Sequence, residues 1–336
     1  MIEQTLRTVC DGADLDVNTA EEAAREILEG QVSPVQLSAF LVGLKMKGET
    51  SDEILGFVRV LREKAVKLEV NAEELIDLCG TGGDGKQSFN ISTISAFVVA
   101  GAGVKVAKHG NRAVSGKCGS TDLIEGLGVK IPERPEQVCK SLEEIGFGFI
   151  HAPYFHPALR HIMPVRRELG LRTIFNLLGP LINPARVKRQ LIGFFNEQAM
   201  KKAAQVVKKL GGKRYLLVHS QDGLDEISVS APTSAILVED GEIKEMEIIP
   251  EDYGFKQSTA RVVTSSLQEN LKILFSILNR EKSVHRDFVL MNAGAAIFVA
   301  GQASDLREGV DMARESIDSG KAFKTLLGFI KLHQEA

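Results

Sequence analysis

Four glycines occur within six residues directly after an apolar run, Leu75–Cys79, and no other feature of the chain constrains its fold as strongly. The segment from residue 80 to residue 93 reads GTGGDGKQSFNIST. Successive amides without side chains can close into a concave nest that binds an anion, whereas a simple turn rarely needs so many glycines. The pattern predicts a strand, a phosphate-binding loop and then a helix.

Two familiar phosphate-binding motifs fit the glycine segment only in part. The dinucleotide fingerprint G-x-G-x-x-G is satisfied at Gly80, Gly82 and Gly85. That fingerprint also requires an acidic residue at the end of the next strand, where this chain has Lys108. The Walker A motif requires a Ser or Thr hydroxyl for magnesium at the position of Gln87. A dinucleotide site and a nucleoside triphosphatase are therefore disfavoured.

The residues after the glycines are typical of a helix start that binds phosphate. Ser88 or Asn90 can cap a helix that extends from residue 91 to residue 100. The first turn of this helix would present the hydroxyl groups of Ser92 and Thr93 beside free backbone amides. Such a helix start can hold a phosphate or a metal-bound phosphate.

A second polar loop follows the next predicted strand, Val104–Ala107. Residues 108–120 read KHGNRAVSGKCGS and combine three cations with three glycines and two serines. In a parallel sheet, both loops would lie at the carboxyl ends of the strands, where ligands collect. The composition suits a polyphosphate ligand, although charged and glycine-rich loops also occur as plain solvated surface.

The order of the predicted elements divides the chain into a helical part and an α/β part. The first part reads as helices only, with start signals at Thr19, at Ser33 and at Thr50. From Leu75 onward strands and helices alternate, which predicts a mainly parallel central sheet flanked by helices. Further strands are expected at 147–150, 189–194, 215–219 and 235–238, and helices at 120–127, 267–278, 288–300 and 306–319. We expect a small helical domain over 1–72, with about 166–185 packed on it, and an α/β domain over 73–165 and 186–336.

Composition narrows the range of partners. The chain of 336 residues has a net charge of -3 and no tryptophan, so it offers neither the charge nor the stacking surface that a nucleic acid requires. No apolar run is long enough to span a bilayer, and the start lacks a signal-peptide pattern. The four cysteines show neither disulfide nor zinc spacing. We therefore expect a cytoplasmic protein with reduced thiols and no membrane partner.

Four motifs follow one another along the chain: GTGGD at 80–84, NIST at 90–93, KHGNR at 108–112 and RTIFNLLGPLINP at 172–184. Together they resemble the anthranilate phosphoribosyltransferases, and the likeness extends from near Glu21 to the final helices. The resemblance implies the fold shared with pyrimidine nucleoside phosphorylases and a homodimer that forms through the helical domain. It also implies magnesium-assisted transfer of phosphoribose from phosphoribosyl pyrophosphate to the amine of anthranilate, with release of pyrophosphate.

The same resemblance implies which residues hold each ligand. Anthranilate would be bound by Gly80, Asn111 and Arg166. Magnesium would be bound by Ser92, Asp225 and Glu226. Phosphoribosyl pyrophosphate would be bound by residues of both polar loops: Gly80, Gly83, Asp84, Ser88, Asn90, Ile91, Ser92, Thr93, Lys108, His109, Gly110, Asn111, Arg112, Ala113, Val114, Ser115, Gly116 and Ser120.

The chemistry of such a transfer needs help chiefly at the leaving group. Lys108 and the loop amides would stabilise the charge that develops on pyrophosphate, and magnesium prefers oxygen ligands such as carboxylates. The anthranilate amine is unprotonated at neutral pH, so no covalent protein nucleophile is required. Arg166 offers a planar fork to the anthranilate carboxylate, with Arg167 as the alternative. His109 could carry a proton, but a wall of the pocket is the preferred interpretation.

Two alternative functions stay open at this point. A pyrimidine nucleoside phosphorylase would share the implied fold and would let inorganic phosphate attack the anomeric carbon. A phosphoribosyltransferase-like homologue that binds nucleic acid should be basic and lack the Arg166 segment, whereas this chain is mildly acidic and has that segment. Cys118 stands where the family has serine, which leaves a side-chain contact at that position open.

Overall fold

The computed structural model describes residues 1–112, 118–258, 262–264 and 266–334. Within these residues, seven strands form one sheet: β1 (Leu75–Gly80), β2 (Lys105–Gly110), β3 (Phe147–His151), β4 (Arg189–Gly193), β5 (Arg214–Ser220), β6 (Thr233–Glu239) and β7 (Glu242–Ile248). Their spatial order is β3-β2-β1-β4-β5-β6-β7. The first five strands along the chain pair in parallel, and β6 and β7 add an antiparallel edge. The predicted α/β class with a mainly parallel sheet is confirmed.

Helices precede, connect and follow the strands. They are α1 (Ile2–Cys10), α2 (Val17–Leu28), α3 (Pro34–Lys47), α4 (Ser51–Lys64), α5 (Ile91–Gly101), α6 (Ser120–Gly126), α7 (Pro135–Glu144), α8 (Ala152–Phe155), α9 (Met163–Leu169), α10 (Phe175–Leu178), α11 (Glu197–Lys209), α12 (Leu267–Leu278), α13 (Val284–Ala300), α14 (Leu306–Asp318) and α15 (Lys321–Gln334). No helix in the described part of the chain combines the length and apolar character needed to span a membrane.

The first four helices begin where polar side chains satisfy free backbone amides, and the capping residues were only partly predicted. Ser33 and Thr50 precede α3 and α4, as the sequence predicts, and each forms a capping box. The start predicted after Thr19 is wrong by one turn. Helix α2 begins at Val17, because the side chain of Asp16 accepts a hydrogen bond of 2.8 Å from the Thr19 amide.

The segment that follows α9 packs against the helical bundle. The Phe57 and Phe175 rings meet edge to face with their centroids 5.7 Å apart, and Arg62 Nε donates a hydrogen bond of 2.7 Å to the Leu181 carbonyl. Buried side chains of α2, α3 and α4 share one core with this segment and with α11. The bundle is therefore connected through apolar packing to one face of the sheet.

Helix α5 lies at the centre of the other face. Its residues from 93 to 100 are all buried, because it packs on β1 and β2 and is covered by α13 and α15. Helices α13 and α14 cross closely at Gly294 and Gly309, where a side chain would overlap the opposite backbone. This packing fixes the start of α5, and with it the glycine loop that leads into the helix.

Candidate active site

The carboxyl ends of β1 and β4 carry two glycines that lie side by side in register, Gly80 and Gly193. The loop that contains Asp225 crosses directly over them. A Cβ atom on Gly80 would overlap the Asp225 carboxyl, and one on Gly193 would overlap the Asp225 carbonyl. Strand β2 lies on one side of β1 and β4 on the other, and α/β sheets bind ligands at such a change in strand order. The two glycines let an acidic loop pack directly on this point of the sheet.

The glycine loop after β1 turns where the sequence predicts it. The φ angles of Gly82, Gly83 and Gly85 are 65°, 73° and 75°, in the left-handed region that glycine enters without strain. The Gly82 amide donates a hydrogen bond of 2.7 Å to Asp225 Oδ2, and the Arg172 guanidinium donates one to the Gly83 carbonyl. The loop is therefore held between the acidic loop and the segment that follows α9.

The far end of the glycine loop pairs with residues 262–264. The Phe89 amide donates to the Val262 carbonyl at 3.0 Å, and the Thr264 amide donates to the Gln87 carbonyl at 2.9 Å. Ser88 lies between these two bonds in an isolated antiparallel bridge to Val263. These backbone bonds hold Ser88 and the far end of the glycine loop against residues 262–264.

Three carboxyl groups gather beside the glycine loop. Burial, together with the neighbouring Asp84, raises the pKa of Asp225. Burial and the adjacent Asp225 raise the pKa of Glu226, and Lys108 opposes that shift. Raised values mean that the cluster lacks enough positive charge to keep all its acids ionised. The site therefore favours a cationic ligand.

A divalent cation fits this cluster. Asp84 Oδ2 is buried without a hydrogen-bond partner among the described residues, and the nearby Ser92 backbone lowers the pKa of the Glu226 carboxyl against the effect of burial. The predicted metal residues Ser92, Asp225 and Glu226 are thus brought together, with Asp84 as an addition. Within the described residues no three His, Cys, Asp or Glu side chains are placed to hold a metal ion by themselves. Magnesium commonly takes one or two carboxylates and completes its shell with substrate phosphate oxygens and water.

The start of α5 differs from the prediction in one detail. Asn90 occupies the N-cap position, but its side chain does not cap the helix. Its Nδ2 instead donates to the Cys118 carbonyl at 3.2 Å and to Asn270 Oδ1 at 3.2 Å. The side chain thereby ties the helix start to the second polar loop. The Thr93 hydroxyl is buried and has no partner among the described residues.

The second polar loop begins at the end of β2. Lys108 is 1% exposed, and its Nζ donates to the Leu78 carbonyl at 2.6 Å and to Ser92 Oγ at 3.1 Å. The Asn111 amide donates to Ser120 Oγ at 3.1 Å, which ties the two ends of the loop together. The predicted ligand residues Ala113, Val114, Ser115 and Gly116 lie outside the described residues.

Arg112 is engaged elsewhere in this structure. Its guanidinium forms a two-pronged ion pair with Glu125, with Nη2 at 2.6 Å from Oε1, and Nη1 also lies 3.4 Å from Asp122. All three side chains are at least partly exposed. The ion pair uses Nη1 and Nη2 of the guanidinium, so these donors are shared with Glu125 and Asp122.

His109 forms part of an enclosed wall. Its Nδ1 lies 3.2 Å from the Gly179 carbonyl, and its ring centroid lies 5.2 Å from that of His156. In the part of the chain that the structure describes, its buried Nε2 has no hydrogen-bond partner. Burial and the neighbouring His156 lower the pKa of His109 to about 3. A neutral imidazole of this kind suits the wall interpretation better than a residue that becomes protonated during turnover.

Arg166 is a half-buried cation beside an aromatic ring. Its guanidinium lies 5.4 Å from the centre of the Phe175 ring and 3.8 Å from Met163 Sδ. Burial lowers the pKa of Arg166, and no carboxylate among the described residues forms an ion pair with it. The neighbouring Arg167 is exposed. Of the two arginines, Arg166 is therefore the one whose half-buried guanidinium lies beside an aromatic ring.

Comparisons with known proteins agree with this geometry along nearly the whole chain. Residues 3–65 match the helical bundle domain of the glycosyl transferase family, and residues 72–323 match its a/b domain. An anthranilate phosphoribosyltransferase from Ectopseudomonas mendocina is 46% identical, over 98% of this chain and 97% of the relative. The chain belongs to the anthranilate phosphoribosyltransferase family. It is therefore a glycosyltransferase, and the two alternative functions are not favoured.

Solved structures of anthranilate phosphoribosyltransferases share the complete fold. The Thermus thermophilus protein is 40% identical with a TM-score of 0.92, and the match covers 99% of each chain. The Saccharomyces cerevisiae protein, solved in complex with phosphoribosyl pyrophosphate and magnesium, is 25% identical with a TM-score of 0.91. That match covers 100% of this chain and 98% of the yeast chain.

Two residues of this anthranilate phosphoribosyltransferase site were not predicted from the sequence. Gly193 ends an ordinary apolar strand, so only its register with Gly80 shows why a side chain is excluded. Arg172 was recognised only as the first residue of a motif, whereas its guanidinium lies 4.9 Å from the Phe195 ring and contacts the glycine loop. The only local signal for a role of Arg172 is its place as the first residue of the motif at 172–184.

We expect Gly193→Ala to lower kcat by at least about tenfold, because the methyl group must displace the Asp225 backbone and reacting groups tolerate little misplacement. Steady-state kinetics would measure this, with circular dichroism to verify the fold. A variant with wild-type kcat would show that the acidic loop need not lie against β4.

Proposed function

We propose that the chain transfers the phosphoribosyl group of phosphoribosyl pyrophosphate to the amine of anthranilate. The products would be N-(5-phosphoribosyl)anthranilate and pyrophosphate, in the second step of tryptophan biosynthesis from chorismate. The observation that carries the proposal is the group of three acids next to Lys108 and the glycine loop. The pKa values of Asp225 and Glu226 are raised, and Asp84 Oδ2 has no hydrogen-bond partner among the described residues. Family membership supports the same reaction.

The donor would lie between the glycine loop and the start of α5. Ser92, Asp84, Asp225 and Glu226 would hold magnesium, which supplies charge neutralisation on the pyrophosphate when bound. Lys108, fixed by the Leu78 carbonyl, would add a second positive charge there. The acids would therefore act by holding the cation. Lys108 would act by stabilising the leaving group directly.

The acceptor would be oriented rather than activated. The Arg166 guanidinium has no acidic partner among the described residues, and its planar fork matches a carboxylate. The Phe175 ring beside it offers an apolar surface for an aromatic substrate. Since the aromatic amine is already unprotonated at neutral pH, holding its lone pair toward the anomeric carbon can supply much of the rate. A neutral His109 would close the pocket.

Anthranilate fluorescence provides the direct test. The fluorescence should decay only when the protein, phosphoribosyl pyrophosphate and magnesium are all present, and chelation of the metal should stop the decay. Release of base from pyrimidine nucleosides with inorganic phosphate should not occur. Loss of nucleoside without loss of anthranilate fluorescence would overturn the proposal in favour of a phosphorylase.

We also propose that two copies of the chain form a homodimer through the helical domain. One face of α3 carries Val35, Ala39, Val42 and Met46 at helical spacing. Val35 is 79% exposed and Met46 is 82% exposed, which are high values for large apolar side chains. Burial of this α3 stripe against a second copy would remove both from water.

The dimer can be tested with charged substitutions in the α3 stripe. Val35→Glu with Met46→Glu should convert the protein into a monomer of 36.6 kDa in light scattering, because the interface cannot bury two opposed acids. Leu327→Glu on α15, where the wild-type leucine is 49% exposed, is the matched control and should leave the dimer intact. A dimer in the first variant would exclude the α3 stripe as the interface.

The domain division and the location of the protein are further proposals. A helical domain over 1–72, with about 166–185 packed on it, and an α/β domain over 73–165 and 186–336 are supported by the contacts of Phe175 and Leu181 with α4. A cytoplasmic location is supported by four free cysteines, which are typical of reducing compartments.

A further inference from the structure

The sheet opens between β1 and β2 just before the active site. These strands pair only at Leu75 with Lys105 and at Ile76 with Val106. On the outer sides the pairing continues: β1 pairs with β4 as far as Gly80, and β2 pairs with β3 as far as Gly110. The gap is therefore local, and it lies beside Lys108.

Where β1 and β2 no longer pair with each other, side chains form hydrogen bonds with their backbone groups. The His109 amide donates a hydrogen bond of 3.1 Å to Asp77 Oδ1. Asn183 Nδ2 donates to Asp77 Oδ2 at 2.8 Å and to the Ala107 carbonyl at 2.9 Å. On the other strand, the Leu78 carbonyl accepts the bond from Lys108 Nζ. Three backbone groups along the opening are thus bonded by specific side chains.

Asp77 is the residue on which this arrangement centres. It is 0% exposed, and Gln190 Nε2 and the Cys79 thiol add a third and a fourth donor at 3.2 Å and 3.5 Å from Oδ2. A carboxylate buried in a central strand costs stability, and an apolar side chain would fill the position more favourably. Its carboxylate holds the peptide that joins Lys108 to His109, and the direction of that peptide sets the direction of the Lys108 side chain.

We propose that Asp77 is a positioning residue for phosphoribosyl transfer, which holds the end of β2 away from β1 and so aims Lys108 at the leaving group. The inference rests on the proposed function only in the role of Lys108. Asp77 itself does not contact the reacting atoms.

The substitution Asp77→Asn removes this support with little change in shape. One amide oxygen can still accept from His109, but the amide nitrogen then faces the donors of Asn183 and Gln190. We expect kcat/KM for phosphoribosyl pyrophosphate to fall about 30-fold, mainly in kcat, and Asp77→Ala to be worse. Ser316→Ala, which removes a buried 2.7 Å hydrogen bond to Val98 elsewhere in the core, should lose stability while keeping full activity.

A double-mutant cycle with Lys108→Met separates positioning from general stability. If Asp77 acts through Lys108, then Asp77→Asn should cost less than about threefold in the Lys108→Met background. An equal 30-fold loss in both backgrounds would overturn the inference. If Asp77→Asn does not fold, Asn183→Ala removes the bridge between Asp77 and the Ala107 carbonyl and should show the same coupling to Lys108, although it also removes the acceptor of the Ala185 amide. A wild-type protein without transferase activity would instead refute the proposed function.

Discussion

Replacing Asp225 and Glu226 together by Asn and Gln should lower magnesium-dependent turnover by about a thousandfold or more, because metal ions and fixed charges contribute several kcal/mol at a departing phosphate. Burial raises the pKa of both carboxyl groups, with added repulsion from Asp84 on Asp225 and from Asp225 on Glu226, so they bind either protons or a cation. The amides bind neither. Anthranilate fluorescence across a magnesium titration would measure the loss.

A matched control is needed because the double variant removes two negative charges. Asp240→Asn with Glu242→Gln makes the same chemical change at two exposed positions of the β6–β7 hairpin, and it should leave turnover unchanged. The amide variant should also keep its fold, since removal of buried, mutually repelling charges does not weaken packing. Full activity with unchanged magnesium dependence in the Asp225 and Glu226 variant would exclude the metal site.

The elements of the fold were predictable where their signals are local. The helix starts at Ser33 and Thr50 and the helix over 267–278 depend on signals within one or two turns, and the structure confirms all three. Strand β7 was missed because four of its seven residues are Glu or Lys. An exposed edge strand needs only a few buried side chains, so its sequence resembles a polar loop.

The site was predictable only in its separate parts. The two polar loops carry clear local patterns, whereas the pair Asp225 and Glu226 was implied only by the family resemblance. The contact of Asp84 with the Asp225 loop depends on how β1 and β4 align. Asn90 shows the same limit. The local sequence allows its side chain to cap α5, but the side chain instead donates hydrogen bonds to Cys118 and Asn270, which are distant in sequence. Tertiary contacts decide which hydrogen bond a polar side chain makes when two are available.

Arg166→Ala should raise the KM for anthranilate about 100-fold, because loss of one member of a partly buried, hydrogen-bonded charge pair costs about 2–5 kcal/mol. The KM for phosphoribosyl pyrophosphate should change little. Arg166 lies against Phe175 and Met163, whereas the phosphate-binding groups proposed here belong to the glycine loop and α5. Initial rates over a matrix of both substrate concentrations would separate the two effects.

Two further variants show whether Arg166 acts through its charge or its shape. Arg166→Lys keeps the charge but loses the planar fork, so we expect an intermediate rise in KM of about tenfold. Arg167→Ala removes an exposed arginine next to it and should leave the anthranilate KM unchanged. If Arg167→Ala raised the KM and Arg166→Ala did not, the acceptor would bind to the other face of α9. Since adjacent helical residues point about 100° apart, only one of the two arginine side chains can contact the bound acceptor.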